Sequence, residues 1–531
     1  MRDLSLPGRS PVVATGGMAA TSHPLSTQTA IQVLLRGGNA MDAAIAACAV
    51  QCVVEPGSTG IGGDCFCLYA PQGSVDPIAF NGSGRAPMAA EHSWFREQGI
   101  ARIPQRSPHA VTTPGAVDAW SQLCRDHGSM KLGELLKPAI FYAENGYPIS
   151  SRVHSDFAAA EAFLADDSST ADIFLNNGQI PELGGVHKQP RLARSLRAIG
   201  EEGRDVFYSG WIAEDIVGYL QSLGGLHSLA DFAETRGDYV TPISSEFRGD
   251  TVYQCPPAGQ GVTALMLLNL MSEAEVDAAG PISVERIHTE LEACRLAYRV
   301  RNIYVGDPDF SEIPVEALLS RNAAHELYAS INRFRATPPP RELELPNHRD
   351  TVYITVVDRQ RNVCSFINSL FSSFGSGLVA PRSGVLLHNR GTGFSLAEGH
   401  PNCVAPRKRP LHTLIPGMIA RDGKAVMSYG VMGGHYQAFG HMQFLTRYYD
   451  YGYDLQEAMD LPRFMVNPAT GAVEMEKAVP AAIRERLIAR GHRIETAARP
   501  IGGAQAIHID WRNNVLTGAS DPRKDGCAIG Y

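Results

Sequence analysis

The stretch "LPNHRDTVYITVVDRQRNV", residues 345–363, places a threonine, Thr351, directly after an aspartate. The segment before it, 333–350, is rich in proline and polar residues and has no periodicity, which indicates an exposed linker or loop. Residues 351–358 and 362–371 have strand patterns separated by a short polar turn, which predicts a β-hairpin. Thr351 is therefore expected to begin a strand at the end of an accessible segment.

Two interpretations of Thr351 follow from its position. Threonine is a common strand former, so this residue can be purely structural. Alternatively, cleavage of the peptide bond between Asp350 and Thr351 would give the threonine a free α-amino group. Its hydroxyl would then be a nucleophile, and the amine, with a pKa of about 8, would be the general base. One residue would supply two catalytic parts.

The composition is that of a globular protein. The chain has 531 residues, of which 44% are hydrophobic and 19% are charged, so it can bury a sizeable core and is not disordered throughout. It has 47 Lys+Arg against 55 Asp+Glu, a net charge of −8, without a sustained basic run. This balance argues against nucleic acid or an anionic membrane as a partner and favours a small soluble ligand.

The sequence predicts a cytoplasmic protein without a metal or cofactor. The first twenty residues lack the apolar core of a secretory signal, and no stretch has the roughly 18 apolar residues of a membrane span. The ten cysteines are expected to be reduced core residues, since Cys65 and Cys67 form a CxC pair with no second half. No HExxH, EF-hand or GxxxxGK[ST] motif occurs.

Across nearly its whole length the sequence resembles the γ-glutamyltranspeptidase family of N-terminal-nucleophile hydrolases. The stretches that carry the resemblance are "RGGNAMDAAIAACAVQCVVEPGSTGIGGD" (36–64), "TPGAVDAW" (113–120), "PPAGQGVTALMLLNLM" (256–271), "YVGDPDF" (304–310), "DTVYITVVD" (350–358), "FGSGLVAPRSGVLLHNRGTGFSL" (374–396), "KRPLHTLIP" (408–416), "MGG" (432–434) and "GASDPRKDG" (518–526). Together they are highly specific, whereas a single short one such as "MGG" would not be.

The resemblance implies an α+β fold, a four-layer αββα sandwich. It implies self-cleavage between Asp350 and Thr351 into an α-rich large fragment, 1–350, which contributes sheet strands, and a small fragment, 351–531. The two fragments would stay together as a heterodimer with one interleaved fold, and whether heterodimers pair further is left open.

The resemblance also implies roles for individual residues. Thr351 corresponds to the nucleophile, and Ser369 falls where family members have a threonine hydroxyl that orients it. Gly433 and Gly434 match the glycine pair whose N–H groups stabilise the oxyanion. Without the resemblance, Ser369 and the glycines would be read as ordinary strand and turn residues.

The sequence departs from glutathione-cleaving members where those bind the α-amino acid head of the donor. Ser83 lies at the position of the arginine that binds the α-carboxylate, and Arg85 is displaced from it by two residues. Arg390 and Gly393 replace the glutamine and the aspartate that hold the α-ammonium. A cation at this place should repel an ammonium group, so a γ-glutamyl donor is not favoured.

Further substitutions narrow the expected substrate. His412 and Thr413 replace a serine pair, and Phe371 replaces an asparagine that touches the donor. A small pocket with Arg390 and His412 suits a small amide that bears a carboxylate, which arginine can bind through two hydrogen bonds. The pattern resembles the oxamate amidohydrolase branch, which implies hydrolysis of oxamate to oxalate and ammonia in purine breakdown. Arg390 has a structural alternative, an ion pair under the sheet edge.

Three other functions remain open. The first is γ-glutamyl hydrolysis or transpeptidation on glutathione-like substrates, with Arg85 reaching the carboxylate. The second is an acylase for glutaryl-type groups, which also lack an ammonium. The third is a family member that binds a metabolite without turnover, and failure to self-cleave would favour it.

Overall fold

The computed structural model describes residues 4–5, 8–338, 351–467 and 470–531. Asp350, on one side of the expected cleavage site, lies outside the described residues, as does most of the segment before Thr351.

The strands are β1 (Val12–Ala14), β2 (Met18–Thr21), β3 (Asp64–Ala70), β4 (Ile78–Gly82), β5 (Tyr147–Pro148), β6 (Val186–His187), β7 (Asp238–Val240), β8 (Ile243–Phe247), β9 (Asp250–Gln254), β10 (Val352–Val357), β11 (Val363–Ser369), β12 (Gly417–Arg421), β13 (Lys424–Met432), β14 (Phe464–Val466), β15 (Val473–Met475), β16 (Ile494–Thr496), β17 (Gly503–Asp510), β18 (Val515–Ser520) and β19 (Cys527–Gly530).

The α-helices are α1 (Pro24–Leu35), α2 (Ala40–Val54), α3 (His92–Glu97), α4 (Ala116–His127), α5 (Leu132–Asn145), α6 (Ser151–Leu164), α7 (Ser168–Phe174), α8 (Pro190–Glu202), α9 (Asp205–Tyr208), α10 (Trp211–Ser222), α11 (Leu229–Ala233), α12 (Gly261–Glu273), α13 (Val284–Tyr304), α14 (Val315–Leu318), α15 (Arg321–Ala329), α16 (Tyr436–Tyr451), α17 (Leu455–Asp460) and α18 (Ala481–Ala489).

Most strands of the described chain belong to two seven-stranded antiparallel sheets. The first sheet has the order β1-β18-β17-β13-β12-β9-β8, and the second has the order β19-β2-β10-β11-β3-β4-β7. Each sheet contains strands from before residue 350 and strands from after it. The two parts of the chain are thus interleaved in both sheets.

The two sheets pack face to face, and helices cover their outer faces. The core between the sheets contains large apolar side chains from both, including Phe66, Tyr353, Met418 and Ile507. Helices α1, α2 and α4 pack on the second sheet, and α12 and α16 pack on the first, while α5 packs on α2 and α13 packs on α12. This arrangement confirms the predicted αββα sandwich.

The predicted hairpin after residue 350 is confirmed. Strands β10 and β11 pair with Val352 opposite Asn368 and Val357 opposite Val363. The connecting turn is closed by Arg361 N, which donates to Asp358 O at 3.0 Å. The hairpin lies at the centre of its sheet, so the start of β10 is surrounded by protein.

No helix in the described part of the chain has both the length and the apolar character that a membrane span requires. The cytoplasmic location stays a prediction from the sequence.

Candidate active site

Polar side chains lie side by side at the ends of three neighbouring strands in the second sheet, β10, β11 and β3. Thr351 directly precedes β10 and is 1% exposed. Because Val352 pairs with Asn368, and Ser369 pairs with Asp64 on β3, the side chains of Thr351, Ser369 and Asp64 lie next to one another on one face. Thr351 Oγ1 is 3.2 Å from Ser369 Oγ. The structure thus brings the predicted nucleophile and its predicted orienting hydroxyl into contact.

A glutamine that no sequence pattern singled out also binds the threonine hydroxyl. Gln437 Nε2 donates to Thr351 Oγ1 at 3.3 Å, and Gln437 Oε1 accepts from Ile415 N at 3.3 Å. Gln437 lies in the first turn of α16 and is fully buried. Its position three residues after Gly434 was the available signal, but only the folded contact reveals its role.

The glycine pair forms a tight turn between β13 and α16. Gly433 and Gly434 have φ values of 122° and 59°, in the region that favours glycine over residues with a Cβ. The turn is closed through carbonyls: Tyr436 N donates to Gly433 O at 3.0 Å, and Gln437 N donates to Gly434 O at 3.2 Å. Backbone N–H groups in such a turn are suitable donors for an oxyanion. That role stays a prediction.

Gln260 connects the glycine turn to the neighbouring segment. Its Nε2 donates to Gly434 O at 3.0 Å and to Thr413 O at 3.1 Å. Its Oε1 accepts from Arg301 Nη1 at 2.8 Å. These contacts fix the turn relative to Thr413, one of the residues expected to contact substrate.

Arg390 is a fully buried cation with vacant donors. It is 0% exposed, and its Nη1 donates to Thr413 Oγ1 at 2.9 Å, while its Cζ lies 4.1 Å from the centre of the Phe371 ring. Burial lowers the pKa of the guanidinium to about 9, and the charge of Asp64 opposes this shift. Within the described residues, Nε and Nη2 have no hydrogen-bond partner and no carboxylate forms an ion pair with Arg390. A buried charge of this kind is a place for an anion.

His412 is held by Asp64. His412 Nε2 lies 3.0 Å from Asp64 Oδ2, and His412 Nδ1 accepts from Leu414 N at 3.2 Å. Burial, reinforced by the charge of Arg390, lowers the pKa of His412 to about 3, so its imidazole is neutral. Both ring nitrogens are engaged within the protein, which places His412 in the wall of the site. Its contact with substrate stays a prediction.

Asp64 is a central polar residue to which the sequence patterns assigned no role, although it ends the stretch 36–64 that carries the family resemblance. Its Oδ1 accepts from Gly84 N at 3.0 Å and from Gly115 N at 3.2 Å. Burial alone would raise the pKa of this carboxyl group, but His388 and His412 outweigh it and hold the pKa well below its usual range. Asp64 is therefore ionised, and its negative charge partly offsets the effect of burial on Arg390.

The other two predicted substrate-binding residues already have partners. Ser83 Oγ donates to Asn81 Oδ1 at 2.6 Å. Arg85 is 32% exposed at its side chain and forms ion pairs with Asp309 at 3.1 Å and Asp307 at 3.7 Å. Of the two arginines considered for the substrate carboxylate, Arg85 is thus paired with carboxylates, whereas Arg390 is paired with none among the described residues.

One cluster elsewhere has the residue types of a metal site. His288, Glu292 and His492 are buried with their ligand atoms within 4.8 Å of one another. His288 Nδ1 and His492 Nε2 share a hydrogen bond of 2.8 Å, and Arg295 Nη1 lies 2.6 Å from Glu292 and 3.2 Å from His492. The arginine already supplies a positive charge there, so we assign no metal to this cluster.

Buried neutral histidines predict that acid destabilises the fold. Burial lowers the pKa values of His412 and His441 to about 3, whereas an unfolded histidine titrates near about 6.5. Below that pH the unfolded chain binds protons that the folded chain does not, so the free energy of unfolding falls by about 1.4 kcal/mol per pH unit for each histidine. Urea denaturation at several pH values measures this slope. A stability that is constant or rises on acidification would contradict it.

The sandwich, with a threonine directly before a central strand, has the architecture of an N-terminal-nucleophile hydrolase. The family profile described as Gamma-glutamyltranspeptidase matches residues 26–531. The chain belongs to this family.

Similar proteins cover the chain from end to end. It is 37% identical to the glutathione hydrolase-like YwrD proenzyme of Bacillus subtilis, over 98% of this chain and 99% of that one. It is 33% identical to the oxamate amidohydrolase proenzyme of Klebsiella pneumoniae, again over 98% of this chain and 99% of that one. The crystal structure of a cephalosporin acylase from Bacillus halodurans matches with a TM-score of 0.92 and 35% identity, covering 100% of this chain and 99% of that one.

Proposed function

We propose that the protein is a self-processing amidohydrolase that cleaves a small amide whose acyl group carries a carboxylate, with oxamate as the first candidate. The observation that carries the proposal is Arg390, a fully buried guanidinium with two vacant donors in the described site. A carboxylate would neutralise this charge and accept both hydrogen bonds. Membership of a hydrolase family supports the reaction class.

The proposed reaction begins with processing. Cleavage before Thr351 frees its α-amine, which removes the proton from Thr351 Oγ1 as the hydroxyl attacks the amide carbonyl. Ser369 and Gln437 orient the hydroxyl through their hydrogen bonds. The names of two relatives include the word proenzyme, which supports processing in this chain.

The N–H groups of Gly433 and Gly434 would receive the oxyanion of the tetrahedral intermediate. Collapse of that intermediate breaks the C–N bond, and the amine leaves after taking the proton from the α-ammonium group. Water then attacks the threonyl ester, with the α-amine again acting as base. The products are the free acid and the amine or ammonia.

The environment of Arg390 disfavours an ammonium-bearing head group. A γ-glutamyl donor would bring its α-ammonium to the position where Arg390 and Gly393 stand, if it bound as the family resemblance implies. Like charges in a buried site repel strongly. Oxalyl and glutaryl groups have a carboxylate and no ammonium, so they satisfy Arg390 without this penalty.

A glutaryl-type acylase is the second candidate. The observation in its favour is the likeness of the whole chain to the solved cephalosporin acylase. Phe371, whose ring lies under Arg390, would have to leave a longer channel for this acyl group.

The test is a substrate panel assayed with purified, processed protein: ammonia release from oxamate and glutaramate, and aniline release from a γ-glutamyl anilide. We expect turnover of oxamate without cleavage of the anilide. Cleavage of glutaramate alone would favour the acylase. Cleavage of the anilide with oxamate inert would overturn the proposal and return Arg390 to a structural role.

A further inference from the structure

Lys524 is a buried lysine that forms no ion pair with any carboxylate of the described residues. It lies between β18 and β19 and is 2% exposed. Among the residues that the structure describes, its Nζ has no hydrogen-bond partner. Burying an unpaired ammonium is unfavourable. A packing role therefore does not account for a lysine at this position.

The carboxylates nearest to Lys524 in sequence are engaged elsewhere. Asp521 forms ion pairs with Arg463 and Arg523. Asp525 accepts a hydrogen bond of 2.9 Å from a backbone N–H in the first turn of α6. Lys524 N donates to Asp521 O at 3.2 Å, which fixes the backbone and leaves the ammonium unpaired.

Lys524 lies in the turn before β19, at the same end of the second sheet as the nucleophile. Thr21 on β2 pairs with Ile354 of β10 on one side and with Cys527 of β19 on the other. Thr351 comes three residues before Ile354, and Lys524 comes three residues before Cys527. Since neighbouring strands are about 4.8 Å apart, β10 and β19 are separated by about 10 Å.

The Lys524 side chain packs on β17, close to the glycine turn at Gly433. A Cβ built on Gly503 would lie 2.8 Å from Lys524 Cγ and 3.4 Å from Lys524 Cε. Gly503 belongs to β17 of the first sheet, where it pairs with Met432, the residue directly before Gly433. The lysine stem therefore lies in the gap between the sheets, beside the start of the glycine turn.

Arg390 lies on the opposite side of Thr351. Strand β10 stands between β2 and β11 in its sheet, and Lys524 is on the β2 side. Arg390 packs on Phe371, just after β11, and interacts with the charge of Asp64 on β3. Two buried cations with vacant donors thus flank the nucleophile.

We propose that Lys524 binds an anionic group on the leaving amine of the substrate. In an amide attacked by Thr351, the carbonyl carbon has the rest of the acyl group on one side and the amide nitrogen on the other. If Arg390 holds the acyl carboxylate, as the proposed function requires, the amine extends towards Lys524. The substrate class is then an N-acyl amino acid whose acyl group is also acidic, and hydrolysis adds water to give a dicarboxylic acid and an amino acid.

The test compares three oxamates that share the acyl group. N-oxalylglycine has a charged leaving amine, N-propyloxamate has an uncharged amine of the same size, and oxamate releases ammonia. In the processed wild-type protein we expect kcat/KM to be highest for N-oxalylglycine. Lys524→Met should lower kcat/KM for N-oxalylglycine by about 10- to 100-fold, the effect of losing one charge-assisted hydrogen bond. The same substitution should change kcat/KM for the other two substrates by less than about threefold.

The controls separate charge from structure. Lys524→Arg should retain most of the activity on N-oxalylglycine, and Lys477→Met removes an exposed lysine and should change nothing. An equal loss on all three substrates would overturn the role of Lys524. If Lys524→Met does not fold, the wild-type protein alone provides the test. A ratio of kcat/KM for N-oxalylglycine to kcat/KM for N-propyloxamate below about threefold then overturns the role of Lys524.

Failure of the two proposals is distinguishable. Turnover of oxamate without preference for the charged amine rejects the Lys524 site and keeps the oxalyl function. If no oxamate derivative is cleaved, the oxalyl function fails, and glutaramate, N-propylglutaramate and N-glutarylglycine then provide the same comparison for Lys524. If neither series is cleaved, both proposals are rejected.

Discussion

Thr351→Ala is expected to leave the chain in one piece and without amidase activity. The variant keeps the strand and removes only the hydroxyl that Ser369 and Gln437 contact. Without Oγ1, no attack on the preceding carbonyl and no acyl-enzyme can form. Loss of a nucleophile typically costs about 10⁴-fold or more in kcat. A denaturing gel shows the first effect, and ammonia release from oxamate shows the second.

Two variants control this experiment. Thr351→Ser keeps a hydroxyl and should still divide the chain into 1–350 and 351–531. Thr355→Val removes a buried threonine hydroxyl on the same face of β10, where Thr355 Oγ1 donates to Ser428 Oγ at 2.8 Å. It should process normally even if it is less stable. A Thr351→Ala chain that still divides would remove this residue from the mechanism.

The local structure around Thr351 could be predicted from the sequence. Alternation predicted strands at 351–358 and 362–371, and the structure has them at Val352–Val357 and Val363–Ser369. Propensity and turn chemistry decide such short-range features. The sandwich followed from the family resemblance, because the order of strands in two sheets is not encoded in any one segment.

The missing part of the site depends on contacts across the fold. Asp64 reaches the site through strand register and Gln437 through the start of a helix, so the sequence patterns assigned neither residue a role, although Asp64 ends one of the stretches that carry the family resemblance. His412 is in the site as predicted, yet its ring nitrogens bind Asp64 and the backbone. The type of residue in the sequence does not reveal which hydrogen-bond partners its side chain has in the folded protein.

The sequence alone also did not decide which of two arginines, Arg85 or Arg390, can bind the substrate carboxylate. Arg85 and Arg390 have the same chemistry in the sequence, but Arg85 is partly exposed and paired with Asp309. Arg390 is buried, and its Nε and Nη2 have no partner in the part of the chain that the structure describes. Burial and pairing, which only the fold determines, decide which one can attract a substrate carboxylate.

Arg390→Met is expected to abolish binding of acidic amides while leaving the fold as stable as before or more stable. In a buried site, removal of the cation that pairs with a substrate carboxylate typically costs 2–5 kcal/mol, or about 30- to 5,000-fold in binding. KM for oxamate should rise accordingly, and processing should be unchanged. No described carboxylate forms an ion pair with Arg390, and the charge of Asp64 offsets the effect of burial only in part, so replacing Arg390 with an apolar side chain of similar length also removes an unfavourable buried charge. The melting temperature without ligand should therefore not fall.

Arg301→Met is the matched control for that argument. Arg301 is also fully buried, but its Nη1 donates to Gln260 Oε1 at 2.8 Å and lies 3.1 Å from His435 Nδ1. Its loss leaves those buried groups without a donor, so the melting temperature should fall. Equal destabilisation by both substitutions would show that Arg390 is structural. A lower melting temperature for Arg301→Met alone, with a raised KM for Arg390→Met alone, would support a role for Arg390 in binding the substrate carboxylate. The unpaired charge of Arg390 would then reduce the stability of the fold without ligand, in exchange for substrate binding.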